Sequence, residues 1–262
     1  PPRSTLFPYT TLFRSVFSNK AYRLPESSRQ AKGMPLINFL ELRSEERVTT
    51  MVAARYFDPQ RHLVMITRQG TIKKVALSAF ANIRKSGIIA VNLREDDELI
   101  GVKRVNQGDR LMVFASNGLS IMFNEKQVRA MGRTAAGVRA IRLSKGAFVI
   151  GIDKYREGMD ALLVTENGYG KRTRISEFRE QNRGGKGLKA IDITKKNGKL
   201  IAFQIVSEDE DLILLTAEGQ IIRLEVGDIS RQRRYSRGVL LMRLPKKDKI
   251  VSMANFKVEE EE

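Results

Sequence analysis

The feature that most constrains this chain is a glycine-marked element recurring about every fifty residues. Aligned on the glycine, the copies are Arg29-Gln30-Ala31-Lys32-Gly33, Arg84-Lys85-Ser86-Gly87, Arg133-Thr134-Ala135-Ala136-Gly137, Arg183-Gly184-Gly185-Lys186-Gly187 and Arg234-Tyr235-Ser236-Arg237-Gly238. Their glycines stand 54, 50, 50 and 51 residues apart. A second element keeps step: Leu63 to Lys74, Leu111 to Met122, Ala161 to Arg172 and Leu212 to Arg223, turning at Gly70, Gly118, Gly168 and Gly219. In the first copy Asn19-Lys20 occupies that turn. A fixed period of this length is the signature of a repeat architecture.

Each copy reads as β structure. Apolar runs flank turns such as Ser116-Asn117-Gly118 and Glu166-Asn167-Gly168, where Asn-Gly accepts the backbone angles of a tight hairpin. A further strand carries Glu98-Leu99-Ile100-Gly101-Val102, echoed by Phe148-Val149-Ile150-Gly151-Ile152 and Leu200-Ile201-Ala202-Phe203. No long 3.6-residue stripe appears, and Ser176-Glu177-Phe178-Arg179 allows one helical turn at most. Four short strands per period predict an all-β, propeller-like domain of about five four-stranded blades. The expected repeats are 16–62, 63–110, 111–160, 161–211 and 212–258. Residues 1–15 match no repeat and are expected to be a non-native or disordered leader; 259–262 form an acidic tail expected to compete for a basic rim.

Composition narrows the partner. Lys and Arg number 47 against 30 Asp and Glu, a net charge of +17, which favours a polyanion. There is no Cys, so no disulfide framework or thiolate metal site is expected, in keeping with a reducing cytoplasm. No apolar run approaches a membrane span.

Catalytic constellations fail on inspection. His62 is the only histidine and lacks a second ligand nearby. Glu95-Asp96-Asp97-Glu98 and Glu208-Asp209-Glu210-Asp211 precede strands and read as solvated turns. Gly168-Tyr169-Gly170-Lys171-Arg172-Thr173 lacks the glycine and hydroxyl spacing of a phosphate loop. Arg55-Tyr56 falls between repeated elements. What recurs instead is cations. Lys73, Lys74, Lys171, Arg172 and Arg223 follow hairpin turns; Arg29, Lys32, Arg84, Lys85, Arg133, Arg139, Arg183, Lys186, Arg234 and Arg237 mark the glycine loops. On equivalent parts of successive blades they would form a basic belt. No base-reading device is visible, so phosphate contact is expected to dominate. In Gln181-Asn182-Arg183-Gly184-Gly185-Lys186-Gly187, backbone N–H groups and two cations are expected to meet an anion together.

A resemblance now becomes visible. Asn82-Ile83-Arg84, Asn92 to Val102, Val128-Arg129-Ala130-Met131-Gly132-Arg133-Thr134-Ala135-Ala136-Gly137-Val138 and Thr165 to Thr173 closely resemble the C-terminal domain of bacterial DNA gyrase A. The resemblance runs from Val16 to about Val258. It implies a β-pinwheel, a disc whose blades exchange strands and whose basic rim wraps double-stranded DNA. The family's first-blade box, Gln-x-Arg-Gly-Gly-Lys/Arg-Gly, is matched by Gln181, Arg183, Gly184, Gly185, Lys186 and Gly187, here in the fifth blade of the usual six. It also implies that the first blade and the catalytic-tyrosine domain are missing, so this fragment binds DNA without cleaving it and needs no cofactor. The parent it implies is an ATP-dependent topoisomerase of the bacterial cytoplasm, where ATP and Mg²⁺ act elsewhere. The missing part of that parent forms the gyrase A dimer and meets the gyrase B protein. The topoisomerase IV counterpart and a propeller serving as a protein-interaction platform are the alternative readings.

Overall fold

The computed structural model describes residues 15–257 except 21–24, 27, 29–30, 41, 43–47, 49–50, 53–56 and 95. Residues 1–14, Arg29, Arg55-Tyr56, Glu95 and the 259–262 tail lie outside the described residues.

Three kinds of strand recur. After β1 (Ser15–Val16), hairpins form from β2 (His62–Thr67) with β3 (Thr71–Ala76), and from β6 (Arg110–Ala115) with β7 (Leu119–Asn124). Two more pair β10 (Asp160–Thr165) with β11 (Tyr169–Arg174), and β14 (Glu210–Thr216) with β15 (Ile221–Glu225). Long strands β5 (Leu99–Val105), β9 (Val149–Lys154), β13 (Leu200–Val206) and β17 (Ile250–Lys257) pair with the first strand of their own hairpin. Two-residue strands β4 (Ile88–Ile89), β8 (Val138–Arg139), β12 (Leu188–Lys189) and β16 (Val239–Leu240) behave differently. Each crosses to the previous copy: β4 to β1, β8 to β3, β12 to β7 and β16 to β11.

The sheets therefore straddle the sequence repeats. The all-β, propeller-like expectation of four-stranded sheets holds. Among the described residues there are three four-stranded sheets, a three-stranded one (β15-β14-β17) and a two-stranded one (β1-β4). In each four-stranded sheet the fourth strand comes from the following copy; among the described residues none pairs with β15 in this way. Ser15, placed in the leader by sequence, pairs with Ile89. The single helical turns are 3-10 turns such as Ile175–Glu177; the described residues contain no α-helix.

Alternation along one strand feeds two cores where a blade is buried on both faces, as the sheet containing β10 is. From β10, Ala161 and Leu163 join one cluster with Met112 and Phe114 of the preceding blade, while Leu162 and Val164 join another with Leu212 and Leu214 of the next. Phe114 stacks on Phe203 at 4.2 Å and meets Phe178 edge-on at 5.8 Å. Truncating such a buried ring costs about 3–5 kcal/mol. Small residues on the long strands set the blade spacing. A Cβ on Gly151 of β9 would meet the Phe203 ring of β13 at 2.9 Å, so only glycine lets these strands approach.

Candidate nucleic-acid interface

In the last three copies the repeated glycine, Gly137, Gly187 or Gly238, is where the chain presses against the neighbouring blade's backbone. Gly33, Gly87, Gly137, Gly187 and Gly238 all have φ between +66° and +90°. At Gly187, φ is +83° and an added Cβ would lie 2.5 Å from the Ser120 carbonyl of β7. A side chain is excluded there by both backbone conformation and space.

The box-like loop is closed inward. The Arg183 N–H donates to Gln127 Oε1 at 2.7 Å, and the Gly184 N–H to the Ala140 carbonyl at 2.7 Å. The Gly185 carbonyl accepts from the Arg142 N–H at 2.8 Å. Two amides expected to converge on an anion are thus already satisfied. Arg183 is also engaged: Nε donates to the Gln127 carbonyl at 3.1 Å and Nη1 to the Arg139 carbonyl of β8. This clamp recurs. Arg133 Nη1 donates to the Ile89 carbonyl of β4 and Arg234 Nη1 to the Lys189 carbonyl of β12, each at 3.0 Å. The loop arginine of one copy pins the strand exchanged by the previous copy. Lys186 stands exposed beside the clamp.

Four expected contacts need a stronger correction. Lys73 and Lys171 are buried, at 1% and 0% exposure. Lys171 Nζ donates to the carbonyls of Arg233 at 2.7 Å and Arg234 at 3.0 Å. Lys73 Nζ donates to the carbonyls of Ala90, Arg133 and Ala135. Burial pushes both ammonium groups down to about 8, and the neighbouring Arg133 charge adds to the effect on Lys73. Lys74 is ion-paired with Glu125. Arg172 donates to the Ile229 and Gly227 carbonyls, each at 2.8 Å, and pairs with Asp160 and Glu208. These four cations brace one blade against the turns of the next and offer no charge to a rim.

Lys32, Arg84, Lys85, Arg139, Arg223 and Arg237 are exposed as expected. Arg223 is paired with Asp211 and Arg237 with Asp192. The structure adds a further row. Arg94, Lys145, Lys195 and Lys246 occupy the loop behind each exchanged strand, 51, 50 and 51 residues apart, and all are exposed. Lys196 and Lys247 stand exposed beside the last two. Their spacing is the glycine period itself, and that spacing is the signal by which the sequence marks them.

The acidic runs are occupied in the fold. Asp97 accepts from Thr67 Oγ1 at 2.6 Å and from the Gln69 N–H at 2.9 Å. Glu208 accepts from Arg172 and Arg231, Asp209 from Lys257, Glu210 from Asn255, and Asp211 from Arg223. No cluster of three or more metal-type ligands occurs among the described residues, and no helix among them is long and apolar enough to cross a membrane. The arrangement can hold a polyanion by charge; no acid–base or nucleophilic set is assembled among the described residues.

Known proteins agree with this architecture. The family described as DNA gyrase C-terminal domain, beta-propeller, matches residues 15–55, 61–106, 109–155, 160–207 and 210–257. The chain is 53% identical over 247 residues to the DNA gyrase A protein of Halalkalibacterium halodurans, covering 94% of this chain and 30% of that protein. It is 42% identical over 247 residues to the gyrase A protein of Clostridium acetobutylicum, with the same coverage. The chain thus spans about 30% of the length of these relatives. A solved DNA gyrase A C-terminal domain superposes with a TM-score of 0.76 at 26% identity, over 87% of this chain and 76% of that one. The C-terminal domain of a DNA topoisomerase IV gives 0.80 at 23% identity, over 86% and 71%. The second likeness is slightly closer in shape, but at that identity it speaks for the fold alone, and the sequence relatives decide. The chain belongs to the DNA gyrase C-terminal domain family.

Proposed function

We propose that this domain binds double-stranded DNA without sequence preference and bends it around its edge, as the DNA-binding domain of a gyrase A protein. The observation that carries the proposal is the exposed cation row Arg94, Lys145, Lys195 and Lys246, which keeps the repeat period, together with the exposed cations of the glycine loops. Bending about 30 base pairs through half a turn costs on the order of 10–15 kcal/mol. One loop cannot offset that, whereas about ten phosphate contacts at ~1–1.5 kcal/mol each can. Lys32, Arg84, Lys85, Arg139, Lys186 and Arg237, with Arg94, Lys145, Lys195, Lys196, Lys246 and Lys247, supply about that number. In this reading the domain contributes binding and geometry. Strand cleavage, ATP turnover with Mg²⁺ and the joining of gyrase A with gyrase B belong to other parts of a cytoplasmic supercoiling enzyme.

The test is a titration of two duplexes of unrelated sequence at several salt concentrations. Equal affinities and a steep fall of log K with log salt are expected. A strong preference for one sequence, or binding that ignores salt, would overturn the proposal.

A further inference from the structure

The glycine loop of the last copy differs from the others in carrying an aromatic ring. Tyr235 stands where Thr134 and Gly184 stand in the two preceding copies. The residue is 66% exposed. The backbone beneath it is tied down. The Ser236 N–H and Oγ both donate to the Arg233 carbonyl, at 3.1 and 2.9 Å, and the Ser236 carbonyl accepts from the Asp192 N–H at 3.0 Å. Buried Lys171 holds the carbonyls of Arg233 and Arg234 from below. The Arg234 guanidinium lies 5.0 Å from the Tyr235 ring centroid and is itself clamped to the Lys189 carbonyl. Arg233 and Arg237 are exposed on either side.

A ring on a rigid loop among cations is a stacking platform: the ring takes the face of a base and the cations take the flanking phosphates. In an intact duplex every base is already stacked between its neighbours. The ligand that suits Tyr235 is an unpaired base with its backbone, such as a gap in one strand exposes. We propose that loop 231–238 is a binding site for unpaired DNA bases, with Tyr235 as the stacking residue. This rests on the DNA-binding reading above and adds to it a preference for interrupted duplex.

The experiment compares an intact labelled duplex with the same duplex carrying a short single-stranded gap. The parent protein is expected to bind the gapped form more tightly. Tyr235→Ala should weaken gapped-duplex binding about tenfold, the effect of losing one base stack, and leave intact-duplex binding within about twofold. Tyr235→Trp should keep the preference, with indole fluorescence quenched by gapped DNA only. Equal binding of both DNAs by the parent, or equal effects of Tyr235→Ala on both, would overturn the inference while leaving duplex binding intact. Failure to bind either DNA would sink both readings.

Discussion

Arg183 and Lys186 sit three residues apart in one loop, yet they should fail in opposite ways when removed. Arg183 donates to the carbonyls of Gln127 and Arg139, holding the exchanged strand β8 in place. Hydrogen bonds from a charged donor are worth ~1.5–3 kcal/mol each when closed off from water. Because this side chain is only half-buried, about 2 kcal/mol for the pair is the reasonable figure after solvent screening. For a domain of this size that corresponds to a melting temperature lower by ~4–8 °C. Arg183→Ala should show this loss with little change in the salt dependence of DNA binding. Arg183→Lys should lose about as much stability, since an ammonium cannot fork across two carbonyls. Lys186→Ala should do the reverse: stability within ~0.5 kcal/mol of the parent, and a salt slope flatter by about 0.9 for one lost phosphate contact. Calorimetry and fluorescence anisotropy across a salt series read the two quantities independently. An Arg183→Ala protein that melts like the parent and loses ~0.9 of slope would refute the clamp.

Three further outcomes follow from the same geometry. Gly187→Ala places a Cβ against the Ser120 carbonyl at positive φ, so a loss of about 2–5 kcal/mol is expected in urea unfolding; a change below ~0.5 kcal/mol would contradict the close approach. Lys171 has a folded-state pKa of about 8 against an ordinary 10.5, because of burial. Between those values the unfolded chain binds more protons, so this lysine's contribution to stability rises with pH across that window. Lys171→Met should therefore show a shallower rise in unfolding free energy from about pH 8 to 10.5 than the parent; parallel profiles would show that burial does not shift the group. Changing both Lys145 and Lys195 to Ala should flatten the salt slope by about 1.8 without altering stability, and an unchanged slope would remove the second cation row from the interface.

Much of the fold is legible in the sequence because glycine is irreplaceable at the crowded turns. The period of Gly137, Gly187 and Gly238 marks each place where a loop meets the preceding blade's carbonyls. Strand exchange is not legible. A two-residue strand such as Val138–Arg139 carries too little pattern to say which hairpin it joins. The cations divide along a physical line. Lys73, Lys74, Lys171 and Arg172 look exposed on charge alone, although the third copy has Ile121 and Met122 at the matching positions. Where a further blade packs on the sheet there is no polar side, so apolar residues in one copy point to an interior position and a cation there must find carbonyls or carboxylates, whereas Arg223 at the matching position of the last sheet stays exposed. The loop arginines fall between, at the edge yet spent on the neighbouring strand. Lys145 and Lys195 keep the period as faithfully as the glycines and sit in turns marked by Gly146 and Gly198, but a lysine in a surface turn is common enough that only the period sets them apart.

The central claim is that cations spread over the whole period bend DNA around the domain. The most direct measurement is the linking number of a relaxed circular plasmid incubated with the protein, resealed by a type I topoisomerase and stripped of protein. If DNA follows the edge, the linking number should shift in proportion to protein bound, and the shift should vanish at salt that abolishes binding. Saturating binding with an unchanged linking number would show that the cations hold DNA without bending it around the disc.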